Sequence, residues 1–382
     1  MNTSFHVISS KEELDTFREE WNDLYQSLHM PSFFNSFAYV EMWYRHFAGA
    51  DAVRVYAVRA DEILIGLLPL VLLRQSGGVR KLTNLVNDHC LIAPPLIAPI
   101  YVEVVQQTLL QALRTTQSDW DIFTHDFSYS FSSLPQIFTD QQLAACGCHW
   151  RKITEPTYSI FLKTTFTEYT TRVLSRNLRK NLKNAANRLN REKNVRYFFL
   201  EDEEVIDFWP KFLELEASGW KGEAGTAIAC TEPAMQEYYL DLLHLMSHTD
   251  QVYLYGLEVD GVLVAAEFGY TDKDVFHHAK VAYNEQFAYL SPSHLLMLYL
   301  LEDLPNHFPR IRLFHMFPWD TGYKQRFIND PSSYTTTTLY SPSWRGQILW
   351  TFSQLKATIK ERMPGTVAGV KKVLTAIRSN KG

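Results

Sequence analysis

The sequence predicts an α/β chain of α+β type, built as two tandem domains, each a mixed and mostly antiparallel sheet flanked by helices. Three observations lead there. Helical and strand periodicities alternate along the chain. The 382 residues exceed what one ordinary core holds, at ~150 residues per domain. Two similar hairpin patterns stand 199 residues apart, a spacing too long for a solenoid repeat and suited to a duplicated domain.

In order, residues 13–28 read as an amphipathic helix with Leu14, Phe17, Trp21 and Leu24 on one face, and residues 38–47 as a second. Residues 53–58 and 63–73 read as strands joined at Ala60-Asp61-Glu62. The stretch 54–66 aligns without gaps on 253–265, sharing Tyr56/Tyr255, Asp61/Asp260 and Leu64/Leu263. The second half reads as helices at 171–194, 204–219 and 232–247, the hairpin, a strand at 275–283 and a loop. A helix at 293–304 follows Ser291-Pro292, and a strand comes at 311–316. The expected domains are 1–155 and 156–343. A basic tail, 344–382, carries helical pieces at 347–362 and 367–378 split by Pro364-Gly365.

An apolar content of 46% with 14% aromatics is ample for packed cores and excludes intrinsic disorder. The net charge of −5 excludes a uniformly basic, DNA-coating protein. Four cysteines make no disulfide framework. No apolar run precedes Lys11, Glu12, Glu13 and Asp15, and the longest strongly apolar run, 63–73, is 11 residues against the ~20 a bilayer needs. The expectation is a cytoplasmic protein. Cys146-Gly147-Cys148-His149 lacks a second half at zinc spacing, so no metal is expected. Nucleophile-elbow, Walker and dinucleotide fingerprints are absent from the sequence.

The charge is unevenly spread. Residues 172–196 hold nine Lys/Arg against Glu192, a local +8, and the tail from 344 holds eight against Glu361, a local +7. The first could hold a phosphate-rich partner, though without interleaved aromatics it is poor for reading bases. The second has the character of a helix lying on an anionic membrane surface, here the inner face. For each, the plainer reading is a basic face packed against, or solvated beside, an acidic one.

The strand, loop, helix, strand order of the second half resembles the GCN5-related N-acetyltransferase (GNAT) superfamily. Four motifs look like those of its Fem-like, BioF/CelD-like acyltransferase branch: Trp220-Lys221-Gly222-Glu223-Ala224-Gly225-Thr226-Ala227, Lys280-Val281-Ala282-Tyr283-Asn284-Glu285, Ser291-Pro292-Ser293-His294-Leu295-Leu296 and Tyr323-Lys324-Gln325-Arg326-Phe327. Pro31-Ser32-Phe33-Phe34-Asn35-Ser36, Trp43, Phe47 and Gly66-Leu67-Leu68-Pro69-Leu70 look like its first domain. The resemblance covers roughly 10–330 and implies tandem GNAT-like domains. It also implies transfer of an acyl group from acetyl-CoA or another acyl-CoA to an amine or hydroxyl of an envelope or polysaccharide-type acceptor. The rival readings are a Fem-like transferase using aminoacyl-tRNA, and a non-catalytic binding protein of the same fold. The superfamily's phosphate loop carries glycines, whereas Tyr289-Leu290-Ser291-Pro292-Ser293-His294 has none, and Asn284 stands where an Asp is common.

By that resemblance Lys324 and Tyr323 sit at the transfer cleft, the ammonium stabilising an oxyanion or binding phosphate. Ser291, Ser293 and His294 are the cofactor-binding positions at a helix start. Trp220, Lys221 and Thr226 form a substrate-side loop. From the strand pattern itself, Glu267 interrupts an apolar strand, either as a general base or as a salt-bridge partner of Lys280. Period-2 alternation puts His278, Lys280 and Ala282 on one face, with Lys280 either at the cleft or on a solvated edge.

Overall fold

The computed structural model describes residues 2–49, 52–134, 136–191, 194–249, 251–318 and 322–362. The helix expected at 367–378 and the Pro364-Gly365 break lie outside the described residues.

The first sheet starts from β1 (Thr3–Ile8). The helix expected over 13–28 is two, α1 (Lys11–Thr16) and α2 (Arg18–Ser27), because Phe17 ends one and starts the other while its ring stacks on His6. Then follow α3 (Phe37–Phe47), β2 (Val53–Ala60), β3 (Ile63–Arg74), β4 (Arg80–Asn84), β5 (Leu96–Ile97), α4 (Val102–Thr115), β6 (Ile122–Tyr129), α5 (Asp140–Ala145) and β7 (His149–Pro156). The second unit runs β8 (Ser159–Phe161), α6 (Phe166–Arg172), α7 (Arg176–Leu189), β9 (Val195–Glu201), α8 (Glu203–Ala217), α9 (Trp220–Glu223), α10 (Pro233–Ser247), β10 (Val252–Val259), β11 (Val262–Asp272), β12 (Val275–Tyr283), α11 (Pro292–His307) and β13 (Leu313–His315). The last elements among the described residues are β14 (Ser333–Tyr340) and α12 (Trp344–Arg362). The helix expected over 171–194 is also divided, since the Ser175 hydroxyl accepts from the Leu178 amide and caps α7.

The duplication extends to backbone detail. Both hairpins turn on two residues of positive φ, Asp61 (44°) and Glu62 (72°) in one and Asp260 (50°) and Gly261 (79°) in the other, as a right-twisted two-residue hairpin requires. Both carry a register shift, at Val58/Arg59 and at Leu257/Glu258, again 199 apart. The sheets run β1-β2-β3-β4-β6-β14-β7, with β5 beside β3, and β8-β13-β12-β11-β10-β9. Among the described residues each is antiparallel except at one parallel pair, β4 with β6 and β12 with β13.

Strand β14 was not anticipated. It is a threonine run without apolar alternation, and it inserts between β6 and β7 of the first sheet, so the range 156–343 expected of the second domain includes a strand of the first. The domains also share an apolar cluster, in which α3 packs on α10 and the Tyr39 and Tyr238 hydroxyls meet at 3.4 Å. The buried Asp272 carboxylate accepts from the Ser32 hydroxyl (2.9 Å) and the Phe33 amide (2.8 Å), tying β11 to the other domain. Asp272→Ala is expected to lower stability by ~2–4 kcal/mol, read by urea denaturation, because two buried donors lose their acceptor.

Candidate functional site

The second sheet opens where its parallel pair parts. Pairing of β12 with β13 lasts three residues, Val275 with Leu313 through His277 with His315. Then β13 ends and the chain leaves through Met316 and Phe317, whose φ of 59° is left-handed. Strand β12 continues to Tyr283, and among the described residues no strand pairs with the edge that β13 leaves. A cavity of about 610 Å³ fills this wedge, inside the ~300–1,000 Å³ range of small-molecule sites. Its walls are β12 from His278, the α8 to α9 corner, the start of α11, Met316, Phe317, Tyr323 and Lys324.

Of the ten residues singled out from the sequence, eight line this cavity: Lys324, Tyr323, Ser291, Ser293, His294, Lys280, Trp220 and Lys221. Thr226 does not; it is exposed and its hydroxyl donates to the Lys221 carbonyl. The loop expected around Trp220 is a helical turn, and the Trp220 amide donates to Glu285 Oε1 (2.9 Å). Lys221 Nζ pairs with the buried Glu216 carboxylate (2.9 Å) and donates to the Val281 carbonyl (2.8 Å), while Glu216 Oε2 accepts from the Ile228 amide (2.9 Å).

Glu267 lies behind the lining. Its expected partner, Lys280, is replaced by His278, whose Nδ1 is 2.5 Å from Glu267 Oε1, with both side chains buried. The cause is a β-bulge. Phe268 faces Lys280 and Gly269 faces His278, so Ala279 is the extra residue and the alternation reverses across it. His278 thus shares the α11 side of the sheet with Glu267, while Lys280 shares the α8 side with Phe268, and the placement of His278 and Lys280 on one face is overturned. With Nδ1 held by Glu267, Nε2 is the ring nitrogen left to the cavity that His278 lines.

Among the described residues Lys280 Nζ makes no hydrogen bond or ion pair, and it sits 5.8 Å from the Tyr239 ring centroid. Burial pulls its ammonium down to about 8, with Glu216 pulling it back up and Lys221 pushing it further down. Since the folded value lies below the ordinary 10.5, the native state binds fewer protons between those limits, and stability rises with pH from about 8 to 10.5. Lys280→Met is therefore expected to stabilise the protein by ~2–3 kcal/mol at pH 7, the gain shrinking above pH 8 in denaturation measured against pH.

The anion end is built differently from a glycine loop. Ser291 is left-handed (φ 50°) and its carbonyl accepts from the His294 and Leu295 amides, while Pro292 has no amide to give. The Ser293 amide and the Ser291 and Ser293 hydroxyls make no hydrogen bond among the described residues. The His294 imidazole is pushed below its usual range by burial and then by Arg326, an exposed guanidinium the sequence reading passed over. Basic α7 packs beside the turn leading into α11. Lys324 is buried, and its Nζ donates to the Met316 carbonyl at the end of β13.

Residues 176–325, which include the splayed parallel pair and the residues lining its cavity, match the family described as an Acetyltransferase (GNAT) domain. The two domains together have the fold seen in FemX. Over 92% of its length the chain is similar to 99% of FemX in that protein's crystal structure, at 11% identity and a TM-score of 0.58. It is also similar to the C-terminal domain of a putative lysylphosphatidylglycerol synthetase from Agrobacterium fabrum, with 91% of this chain and 97% of that one covered, 11% identity and a TM-score of 0.50. No curated protein matches it significantly by sequence.

Proposed function

We propose that the chain transfers an acyl group from acetyl-CoA or another acyl-CoA to an amine or hydroxyl of an envelope or polysaccharide-type acceptor. The observation that carries this reading is the convergence of His278, Lys280, Tyr323, Lys324 and the start of α11 on one cavity. The acceptor nitrogen or oxygen adds to the thioester carbon while His278 Nε2 takes its proton. The C–S bond then breaks, and the leaving thiolate takes that proton from the imidazolium. Glu267 positions the ring and steadies its positive charge. Lys324 and amides on the open edge of β12 supply positive potential where the oxyanion develops. The Ser293 amide, the Ser291 and Ser293 hydroxyls, His294 and Arg326 suit the phosphates of the donor.

A rise in melting temperature with acetyl-CoA, or with longer acyl-CoA, supports this donor. Silence toward every CoA species, with turnover of charged tRNA instead, would sink it. That second donor is favoured by one observation, the exposed Arg176, Lys180, Lys183, Arg188 and Arg191 on and just beyond α7.

The partner reading extends to an anionic membrane surface through the chain's end. Trp344, Ile348, Phe352 and Leu355 are 67, 45, 64 and 54% exposed at helical spacing on α12, within the +7 tail. No helix among the described residues is long and apolar enough to cross a membrane. Co-sedimentation with phosphatidylglycerol vesicles but not phosphatidylcholine, weakened by Trp344→Ser with Phe352→Ser, is the expected result. Equal recovery with both lipids, or none, overturns it.

A further inference from the structure

A second cavity, of about 310 Å³, lies between the domains. One wall is β6 with residues 92–95, and the other is the β11 to β12 turn with His277. It is the first domain's counterpart of the wedge in the second. Strands β4 and β6 pair in parallel for three residues, Lys81 with Ile122 through Thr83 with Thr124, and then part. The Asn84 side chain bridges the gap through both backbone groups of Asp126 (2.9 Å each), and residues 92–95 narrow what remains.

Three polar atoms on residues lining it have no hydrogen-bond partner among the described residues: Asn35 Oδ1, His125 Nε2 and the Tyr129 hydroxyl. Their residues are 6, 2 and 4% exposed, so open solvent does not satisfy them, and a buried polar group left unmet is costly. Phe127 between them is left-handed (φ 58°), a strained conformation for a bulky residue, at a register shift of β6 against β14. That irregularity falls among the residues that line the cavity, His125 to Tyr129.

The chemistry of the walls is specific. The half-buried Phe127 and Phe131 supply aromatic surface, with Tyr129 stacked on both at 6.2 and 5.1 Å. Charges are already engaged or at the rim. Asp272 is held by Ser32 and the Phe33 amide, Lys273 donates to Ser133 (3.2 Å), and Asp274 is exposed. Burial keeps His125 and His277 neutral, at about 4 and about 3. Aromatic faces beside several neutral hydrogen-bonding groups, with no free buried charge, match a polyhydroxylated ring.

We propose that the interdomain cavity binds a monosaccharide ring, either a free sugar or one unit of the acceptor. The inference rests on this cavity alone and stands whether or not acyl transfer is the activity.

The test is titration of the full chain with glucose, galactose, N-acetylglucosamine and N-acetylgalactosamine, followed by saturation-transfer NMR and calorimetry. At least one is expected to bind with Kd about 1 mM, the scale for a dozen ligand atoms. Tyr129→Phe removes only the unpartnered hydroxyl. It should leave the melting temperature unchanged or higher while weakening binding at least tenfold. His125→Phe, which fills the cavity, should abolish binding. The proposal is overturned if none of the four binds at about 20 mM. It also fails if both variants bind like the parent, or if crystals grown with sugar hold ordered water only in the cavity. Incubating the bound sugar with acetyl-CoA separates the two sources, since a mass gain marks an acceptor unit and its absence a separate ligand.

Discussion

His278→Asn is expected to lower acyl-CoA turnover ~10²–10⁴-fold, the usual contribution of a positioned base, while the protein stays folded. Asparagine keeps a donor near the Nδ1 position, so the buried Glu267 carboxylate retains a partner and the loss reports on Nε2 chemistry. Glu267→Gln should show a smaller loss, because Glu267 acts only by orienting the ring. The measurement is kcat/KM against pH beside melting curves. A loss below tenfold in His278→Asn would remove the imidazole from the mechanism and return the proton to water or to the acceptor itself.

The second large effect is on stability. Lys221→Met is expected to cost ~3–5 kcal/mol in denaturant unfolding, since it leaves the Glu216 carboxylate, whose side chain is fully buried, without its counter-charge. Glu216→Gln combined with Lys221→Met should recover most of that loss. If the double variant is as unstable as the single one, the cost lies in the bond from Lys221 to the Val281 carbonyl rather than in the stranded charge.

Much of the fold was legible because its signals are local. The Asp-turn hairpins, Ser-Pro before α11 and the aliphatic strands each advertise one element within about ten residues. Glu267 was legible for the same reason, as a charge inside an apolar strand. What escaped depends on distant partners. The bulge at Ala279 answers to β11, and no feature of 275–283 marks it; without it period 2 assigns His278 to the wrong face. Strand β14 is a polar threonine run whose place is set by β6 and β7, so no periodicity announces it. The His278 pairing could have been reached only by asking which histidine on the next strand meets Glu267. Arg326 stood inside a quoted motif, but its nearness to His294 is a tertiary fact.

The meeting of the Tyr39 and Tyr238 hydroxyls, 199 residues apart, has a wider consequence. A contact in which a residue touches its own counterpart is the kind a two-fold axis produces, so the α3 to α10 junction has the form of an isologous contact carried within one chain. Two separate copies would present every substitution on both sides of that axis. A fused pair presents it once. His46 and Arg45 reach Asp241 on one side of the axis (2.7 and 2.9 Å), whereas the mirror positions of His46 and Asp241 are Leu245 and Met42, both apolar. Because both halves belong to one chain, their association is intramolecular and independent of protein concentration.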